Sequence, residues 1–306
     1  MVMTKTRGNG GPRDVPPFDM FAGLSGLELE HDSYDLGEGV TIRKTYGHLM
    51  APFTMAFKRP AAYDEPHPGP WKSLGGGFAF DIESEIQIPA SVESGKHSQM
   101  DIGKAMLFLL RLGVHPGIQL PVFANAPFSA MADLPERRTW LRPFDFFPRF
   151  FPLDIDFETF GKSHAEYVRD RWKTVLRLRR ADAAFALAAD AIDQGQFVQN
   201  TALTLVSLWG ALEALFSPST SELKFRVSSM IAAYLEPPGA NRLALQRSVA
   251  KLYDKRSAAA HGKPSHDNDH LLETFNLLQR VLLQIIDRGA VPGKDELEQE
   301  LFGATS

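Results

Sequence analysis

The sequence predicts an α+β chain, with a mixed N-terminal domain followed by an antiparallel helical bundle. Short segments rich in β-branched and aromatic residues, separated by turn residues, dominate the first half of the 306 residues. From residue 162 onward, apolar residues recur at the three- and four-residue steps of helices. We therefore expect a disordered lead-in at 1–20, a mixed α+β domain at 21–160 and a helical bundle at 161–306.

Several strands and one short helix are expected in the N-terminal domain. Runs of β-branched, aromatic and alternating apolar residues predict strands over 40–46, 52–57, 78–88 and 118–123. Apolar side chains at helical spacing from Ile102 to Leu112 predict a helix, and Gly113 is expected to end it.

Two stretches of this domain are predicted to lack regular structure. Residues 60–70 contain four prolines and are expected to form a loop. Gly75-Gly76-Gly77 lacks the Lys and the Ser or Thr that follow the glycines of a phosphate-binding loop. The triplet is therefore interpreted as a flexible turn.

The second half is predicted to form four or five antiparallel helices with short connections. The expected helical regions are 164–193, 197–216, 223–234, 245–260 and 271–285. Pro218, the run Pro237-Pro238-Gly239, and Gly262 with Pro264 are the signals that separate the later helices.

Composition and charge exclude several classes of site. The chain has no cysteine, so disulfides, thiolate metal ligands and cysteine nucleophiles are excluded. Its net charge of −4 creates no overall attraction for nucleic acid, so RNA binding would need a local patch. No apolar run approaches the ~20 residues that cross a bilayer. We predict a cytoplasmic protein with no membrane partner.

A metal site is not expected. His266, Asp267, Asp269 and His270 have metal-binding side chains. They stand, however, at the opening of a helix, where Asp is a common capping residue. We therefore predict neither a metal nor a cofactor.

Arg256 interrupts an apolar stripe. Leu245, Val249 and Leu252 occupy one face of the fourth predicted helix, and Arg256 is next on that face. A buried guanidinium is costly unless it is paired or faces a solvated cleft. The structural alternatives are an arginine that extends to solvent near the helix end, or one paired with a carboxylate such as Glu213.

His261 stands where this helix is expected to end. The exposed carbonyls of a helix C-terminus favour a protonated imidazole, which suits a general acid that titrates near neutral pH. The alternative role is a histidine that only caps the helix.

Together, Arg256 and His261 could supply two of the groups that metal-independent RNA cleavage needs. A base helps the 2′-hydroxyl attack the adjacent phosphate, an acid protonates the leaving oxygen, and a cation stabilises the added negative charge. One histidine cannot comfortably act as both base and acid. Two copies facing each other would complete the set, so the chemistry suggests a dimer.

The segment Leu252–Gly262, LYDKRSAAAHG, resembles the R-x4-6-H signature of HEPN domains. It is most similar to the Apea-like group, in which a Tyr, an Arg-Ser pair and a His-Gly pair recur together. Upstream, 209–215 resembles the Ala-Leu-Glu helix of that group, and 222–226 followed by an apolar helix fits as well. The resemblance covers about residues 170–290.

This resemblance implies a HEPN-like helical domain, usually dimeric, in which Arg256 holds the scissile phosphate and His261 transfers protons. The other site residues would be Tyr253, Ser257 and Glu213 in supporting roles, with Lys255, Lys263 and Arg226 as contacts to RNA. Ser257 departs from the Asn, Asp or His of many HEPN nucleases, although Arg-Ser is usual in the Apea-like group.

The predicted function is that of a metal-independent endoribonuclease, an effector of the toxin, abortive-infection or anti-phage kind. Its substrate would be RNA, it would form a homodimer through the HEPN domain, and its N-terminal domain would sense an unknown trigger or restrain the nuclease. The alternative is a non-catalytic HEPN module that binds a nucleotide, RNA or a partner protein.

A basic stripe marks the first predicted helix. Arg169, Lys173, Arg177 and Arg180 recur at steps of three and four residues. A solvated helix face is the usual meaning of such a stripe, and contact with the RNA backbone is the alternative.

Overall fold

The structure, a computed structural model, describes residues 18–92, 96–135, 139–146, 155–156, 158–194, 198, 200–216, 223–260 and 268–303, and for residues 257–260 the backbone only. As predicted, the fold is mixed α+β: an antiparallel sheet comes from the N-terminal half and a helical region follows it. No helix in the described ranges is long and apolar enough to span a membrane. Most of the predicted lead-in lies outside the described residues, and the first strand begins at Met20.

Six strands form one antiparallel sheet. They are β1 (Met20–Ser25), β2 (Ser33–Asp35), β3 (Thr41–Ala56), β4 (Trp71–Ile88), β5 (Gln119–Ala124) and β6 (Leu141–Pro143). Their order across the sheet is β2-β3-β4-β1-β5-β6. The central strand β1 is buried on both faces, which explains its unbroken apolar and small residues. The predicted strand segments all fall in β3, β4 and β5.

The β3–β4 hairpin extends beyond the rest of the sheet. Within this hairpin, β2 contacts only Thr41–Arg43 and β1 contacts only Ser84–Ile88. In the described part of the chain, the outer half of the hairpin is therefore two-stranded. Its exposed apolar side chains include Tyr46, Met50 and Trp71.

The glycine triplet 75–77 is part of strand β4, so its interpretation as a turn was wrong. Gly77 pairs with Pro52, beside a shift in register between Pro52 and Thr54. The φ of Gly77 is 116°, in the region that favours glycine. A Cβ at this position would come within 2.3 Å of the Ala51 carbonyl oxygen. Glycine is needed here because the two backbones approach closely at a bulge.

Eight helices of more than two turns are present in the described residues. They are α1 (Gln99–Gly113), α2 (Lys162–Ala181), α3 (Ala183–Gln194), α4 (Thr201–Phe216), α5 (Leu223–Leu235), α6 (Ala240–Ala260), α7 (Asn268–Arg288) and α8 (Lys294–Phe302). A short 3-10 helix at Phe128–Asp133 follows β5. The helix α1 ends at Gly113, as predicted.

The predicted helix over 164–193 is broken in two, and this prediction was wrong. Asp182 has an extended backbone, with φ −132° and ψ 118°, and it ends α2. Its carboxylate accepts a hydrogen bond of 2.8 Å from the backbone N–H of Phe185, which caps the start of α3. The apolar spacing continues through Asp182, so spacing alone does not reveal the break. The helix α8 was not predicted either.

One continuous apolar core joins the sheet, α1 and the C-terminal helices. Trp172 of α2 is 1% exposed and donates its indole N–H to the Leu36 carbonyl at 3.2 Å, close to the start of β3. The helix α1 lies between the sheet and α2, and it buries ten of its fifteen residues. The helices that carry the candidate site are thus anchored on the sheet through α1 and α2.

Candidate functional site

Three of the predicted site residues meet where α4 and α6 lie side by side. Glu213 is on the last turn of α4, and Tyr253 and Arg256 are one turn apart on α6. The helix α4 is fixed at its start by Asn200, whose side-chain oxygen accepts hydrogen bonds from the N–H groups of Ala202 and Leu203.

Glu213 is the centre of this cluster. Its Oε1 accepts a hydrogen bond of 2.9 Å from the Tyr253 hydroxyl. Nη2 of Arg256 lies 3.3 Å from the same oxygen and 3.5 Å from Oε2. The side chains of Arg256 and Glu213 are 22% and 20% exposed. A carboxylate with these partners orients a phenol and a guanidinium, and it has little capacity left to act as a base.

Tyr253 is held in this position from two sides. The edge of its ring contacts Trp209 of α4, with ring centroids 5.2 Å apart. Burial, together with the hydrogen bond to Glu213 and the negative charge of that residue, raises the pKa of Tyr253 to about 12, although the charge of Arg256 acts in the opposite direction. Tyr253 therefore stays protonated, as a hydrogen-bond donor, at every physiological pH.

Arg256 is only partly satisfied by its neighbours. Its guanidinium carbon lies 5.5 Å from the centre of the Tyr253 ring, a cation–π contact. Its Nε is buried and has no hydrogen-bond partner among the described residues. The guanidinium is thus fixed by Glu213 and Tyr253 on one side and retains donors that these two residues do not use.

The other predicted site residues are less closely gathered. His261 and Lys263 lie outside the described residues, and Ser257 is described only as a backbone position in α6. Lys255 is exposed on α6, and Arg226 is half-buried on α5. Between them, Lys224 of α5 and Asp254 of α6 form an ion pair of 2.6 Å that joins the two helices beside the cluster.

The basic stripe of α2 is mostly engaged in contacts within the chain. Lys173 pairs with Glu38, and Arg177 donates a hydrogen bond of 2.6 Å to the Gly289 carbonyl. Arg169 pairs with its neighbour Asp170 at 3.1 Å. Of the four cations, Arg180 alone forms no ion pair or hydrogen bond among the described residues, and it lines a cavity.

A buried arginine in the N-terminal half was missed from the sequence. Arg111 of α1 is 3% exposed. It pairs with Asp145 and, at 2.6 Å, with Asp193 of α3, and it donates from Nε to the Ile118 carbonyl at 2.8 Å. The available signal was a cation inside the apolar run Leu109–Leu112, the same kind of interruption that singled out Arg256.

The predicted histidines at the start of α7 are only partly described. His270 is completely buried in α7, and His266 and Asp267 lie outside the described residues. Among the side chains that the structure describes, no three His, Asp or Glu residues are grouped closely enough to hold a metal ion.

Replacing Tyr253 by phenylalanine should destabilise the protein by about 1.5–3 kcal/mol, because a buried hydrogen bond to a carboxylate is lost. Because the pKa of Tyr253 is raised on folding, the stability that its hydrogen bond contributes depends on pH. The contribution is complete below pH ~10, where the tyrosine of the unfolded chain is protonated. It is lost as the pH rises through the pKa of the folded protein. Urea unfolding at pH 7, 9 and 11 measures the difference.

A control for this substitution is Tyr63→Phe, since Tyr63 is fully exposed. The control should leave stability unchanged at all three pH values. Equal stability of Tyr253→Phe and wild type at pH 7 would contradict the role of the Tyr253–Glu213 hydrogen bond. An ultraviolet titration adds a second readout, since Tyr253→Phe should remove a tyrosine that ionises well above pH 10.

Comparison of the chain with protein-family models, with curated proteins and with solved structures found no match in any of the three.

Proposed function

We propose that this protein is a metal-independent endoribonuclease whose catalytic part is a HEPN-type helical domain. The observation that carries the proposal is the Glu213–Tyr253–Arg256 cluster, which fixes a partly exposed guanidinium five residues before His261. In the resemblance to the Apea-like group, Tyr253, Arg256 and His261 lie in the segment that resembles the R-x4-6-H signature, and Glu213 lies in the segment that resembles the Ala-Leu-Glu helix. The proposal also includes RNA as the substrate and a homodimer as the active form.

The position of Arg256 suits the stabilisation of a phosphate. Glu213 and Tyr253 hold one side of the guanidinium, so little conformational entropy remains to be lost when an anion binds. Nitrogen donors of a guanidinium match phosphate oxygens in a fork geometry. A half-buried position also strengthens the attraction relative to open solvent.

His261 is proposed to carry the proton transfers. The 2′-hydroxyl loses its proton to a base and its oxygen attacks the neighbouring phosphorus. The P–O5′ bond breaks, a 2′,3′-cyclic phosphate forms, and an acid protonates the leaving 5′-oxygen. One imidazole supplies either the base or the acid at a given moment, so two His261 side chains facing each other across a dimer would supply both.

A second candidate is a non-catalytic module that binds a nucleotide, RNA or a partner protein. Two observations favour it. Glu213 compensates the charge of Arg256, as in a structural ion pair, and the net charge of the chain is −4. Binding of RNA without any cleavage, under all conditions tried, would support this function and contradict the first.

Product chemistry tests the proposal. The full chain, incubated with single-stranded RNA in excess EDTA, should yield fragments with 2′,3′-cyclic phosphate and 5′-hydroxyl ends. DNA of the same sequence should remain intact because it lacks the attacking hydroxyl. Loss of cleavage in EDTA, or fragments with 5′-phosphate ends, would overturn the mechanism.

The matched variants for this assay are His261→Ala and His67→Ala. His67 is an exposed histidine in the loop between β3 and β4. We expect His261→Ala to lower the cleavage rate by ~10²–10⁴-fold, the usual contribution of a general acid or base. His67→Ala should cleave like wild type. Equal rates for the two variants would remove the role assigned to His261.

A further inference from the structure

A cavity of about 540 Å³ opens between α1, α2, α3 and the segment after β6. Its volume is typical of sites for small organic ligands. Ala105 and Leu107 of α1, with Leu176 of α2, form an apolar part of its wall, and all three are buried. The residues that line the cavity all precede Glu213 in the chain, and none of the candidate site residues is among them.

Three exposed cations line this cavity. Lys96, Lys104 and Arg180 are exposed, and none of them forms an ion pair in the part of the chain that the structure describes. They come from the segment before α1, from α1 and from the end of α2. Arg180 follows Lys104 by 76 residues in the chain, so the fold brings its charge to the cavity that the two lysines line. A bound anion would reduce the repulsion between these positive charges.

The carboxylates of the cavity are already engaged. Asp190 pairs with Arg179, and Asp193 pairs with the buried Arg111. Asp101 accepts hydrogen bonds from the backbone and the hydroxyl of Ser98 at the start of α1. The Asp101 pKa lies below its usual value: burial acts to raise it, but the Ser98 hydrogen bonds and the charges of Lys104 and His97 outweigh burial.

An aromatic ring stands beside these cations. Phe144 is 37% exposed, and Nζ of Lys104 lies 5.4 Å from the centre of its ring. Phe123, completely buried, packs against this ring with the centroids 5.8 Å apart and the ring planes at 64°. A supported, partly exposed ring offers a surface on which a planar base can stack.

We propose that this cavity binds a nucleoside monophosphate. Lys96, Lys104 and Arg180 would bind the phosphate, and the ring of Phe144 would stack on the base. Asp190, whose side chain is 49% exposed, can accept hydrogen bonds from ribose hydroxyls while it remains paired with Arg179. The cations, the ring and the carboxylate together match the three parts of such a ligand. This site does not depend on RNA cleavage.

Calorimetric titration of the full chain with AMP, GMP, CMP and UMP tests the proposal, with adenosine and inorganic phosphate as partial ligands. At least one nucleotide should bind with a Kd below ~1 mM, and more tightly than either partial ligand. Failure of all four nucleotides to bind up to ~10 mM would overturn the proposal. Binding of a short RNA in their place, without nucleotide binding, would overturn it too.

Three variants locate the site. Lys104→Gln and Arg180→Gln should each weaken nucleotide binding about tenfold or more, since each removes a charged contact to phosphate. Phe144→Ala should weaken nucleotide binding and leave binding of inorganic phosphate unchanged. Arg169→Gln is the matched control, because Arg169 is an exposed arginine of α2 that does not line the cavity.

Wild-type affinity in both Lys104→Gln and Arg180→Gln would place the bound nucleotide elsewhere and overturn the proposal. Circular dichroism of each variant establishes that it is folded. The titrations contain no RNA substrate, so a failure of nucleotide binding and a failure of RNA cleavage are seen in separate experiments.

Discussion

Replacing Arg256 by glutamine is expected to lower the rate of RNA cleavage by ~10²–10³-fold, the usual cost of removing one group that stabilises the developing negative charge. Glutamine keeps a polar side chain of moderate length, so Glu213 and Tyr253 can retain their hydrogen bond. The loss should therefore appear in the rate of the chemical step, measured by single-turnover cleavage, with little change in the circular dichroism of the protein.

The loss of cleavage rate in Arg256→Gln is interpreted by comparison with two further variants. Arg256→Lys keeps the charge and loses the fork of donors, so its rate should lie between those of wild type and Arg256→Gln. Lys251→Gln, at an exposed position on the same helix, should cleave like wild type. A rate for Arg256→Gln within threefold of wild type would leave Arg256 with only the structural role of an ion pair.

Replacing Arg111 by methionine is expected to destabilise the protein by about 3–5 kcal/mol, because a buried carboxylate is left without its partner. Arg111 is 3% exposed and Asp145 is 8% exposed. Oδ2 of Asp145 also accepts a hydrogen bond of 3.3 Å from the backbone N–H of Leu120. Little water reaches this pair to compensate for the lost cation. Urea unfolding followed by circular dichroism measures the change.

Removing both charges tests whether the pair itself is needed. The double variant Arg111→Met with Asp145→Leu should recover part of the lost stability, because the more buried of the two carboxylates that lose Arg111 is then removed and only Asp193, 20% exposed, remains. Lys224→Met, which breaks an exposed ion pair, should cost less than ~1 kcal/mol. An equal, small effect of Arg111→Met and Lys224→Met would show that the Arg111 network contributes no more than a surface pair.

Local sequence signals predicted most of the regular structure. The strand segments, the end of α1 at Gly113 and the later helices follow from apolar spacing, β-branched residues and Gly or Pro breaks, all of which act over a few residues. The strands β1, β2 and β6 and the helix α8 were not predicted, and two of the wrong interpretations have a common physical cause. Asp182 breaks a helix by capping the next one, and Gly77 allows close approach of another strand. Each depends on a hydrogen bond or contact that spacing does not display.

The candidate site was predictable only where a local sequence signal marks a residue. Arg256 stood out because a cation interrupts an apolar stripe, and pairing with a carboxylate such as Glu213 was one of the alternatives considered for it. Tyr253 as a donor to Glu213 was not predicted, since Tyr253 and Glu213 are 40 residues apart in the chain. Arg180 was noted only as part of the basic stripe of α2, and the sequence did not indicate that it shares a cavity with Lys104 and Phe144.

The sequence by itself determined that this chain is α+β, where most of its helices and the strands β3, β4 and β5 lie, and that Arg256 interrupts an apolar stripe. Those properties depend on which side chains are apolar and on their periodicity, and both can be read directly from the sequence. Only the tertiary structure decided that Glu213 holds Arg256 together with Tyr253, that Arg111 joins α1 to α3, and that three cations from separate segments share one cavity. Such groupings depend on how the helices pack, and packing is set by the whole core.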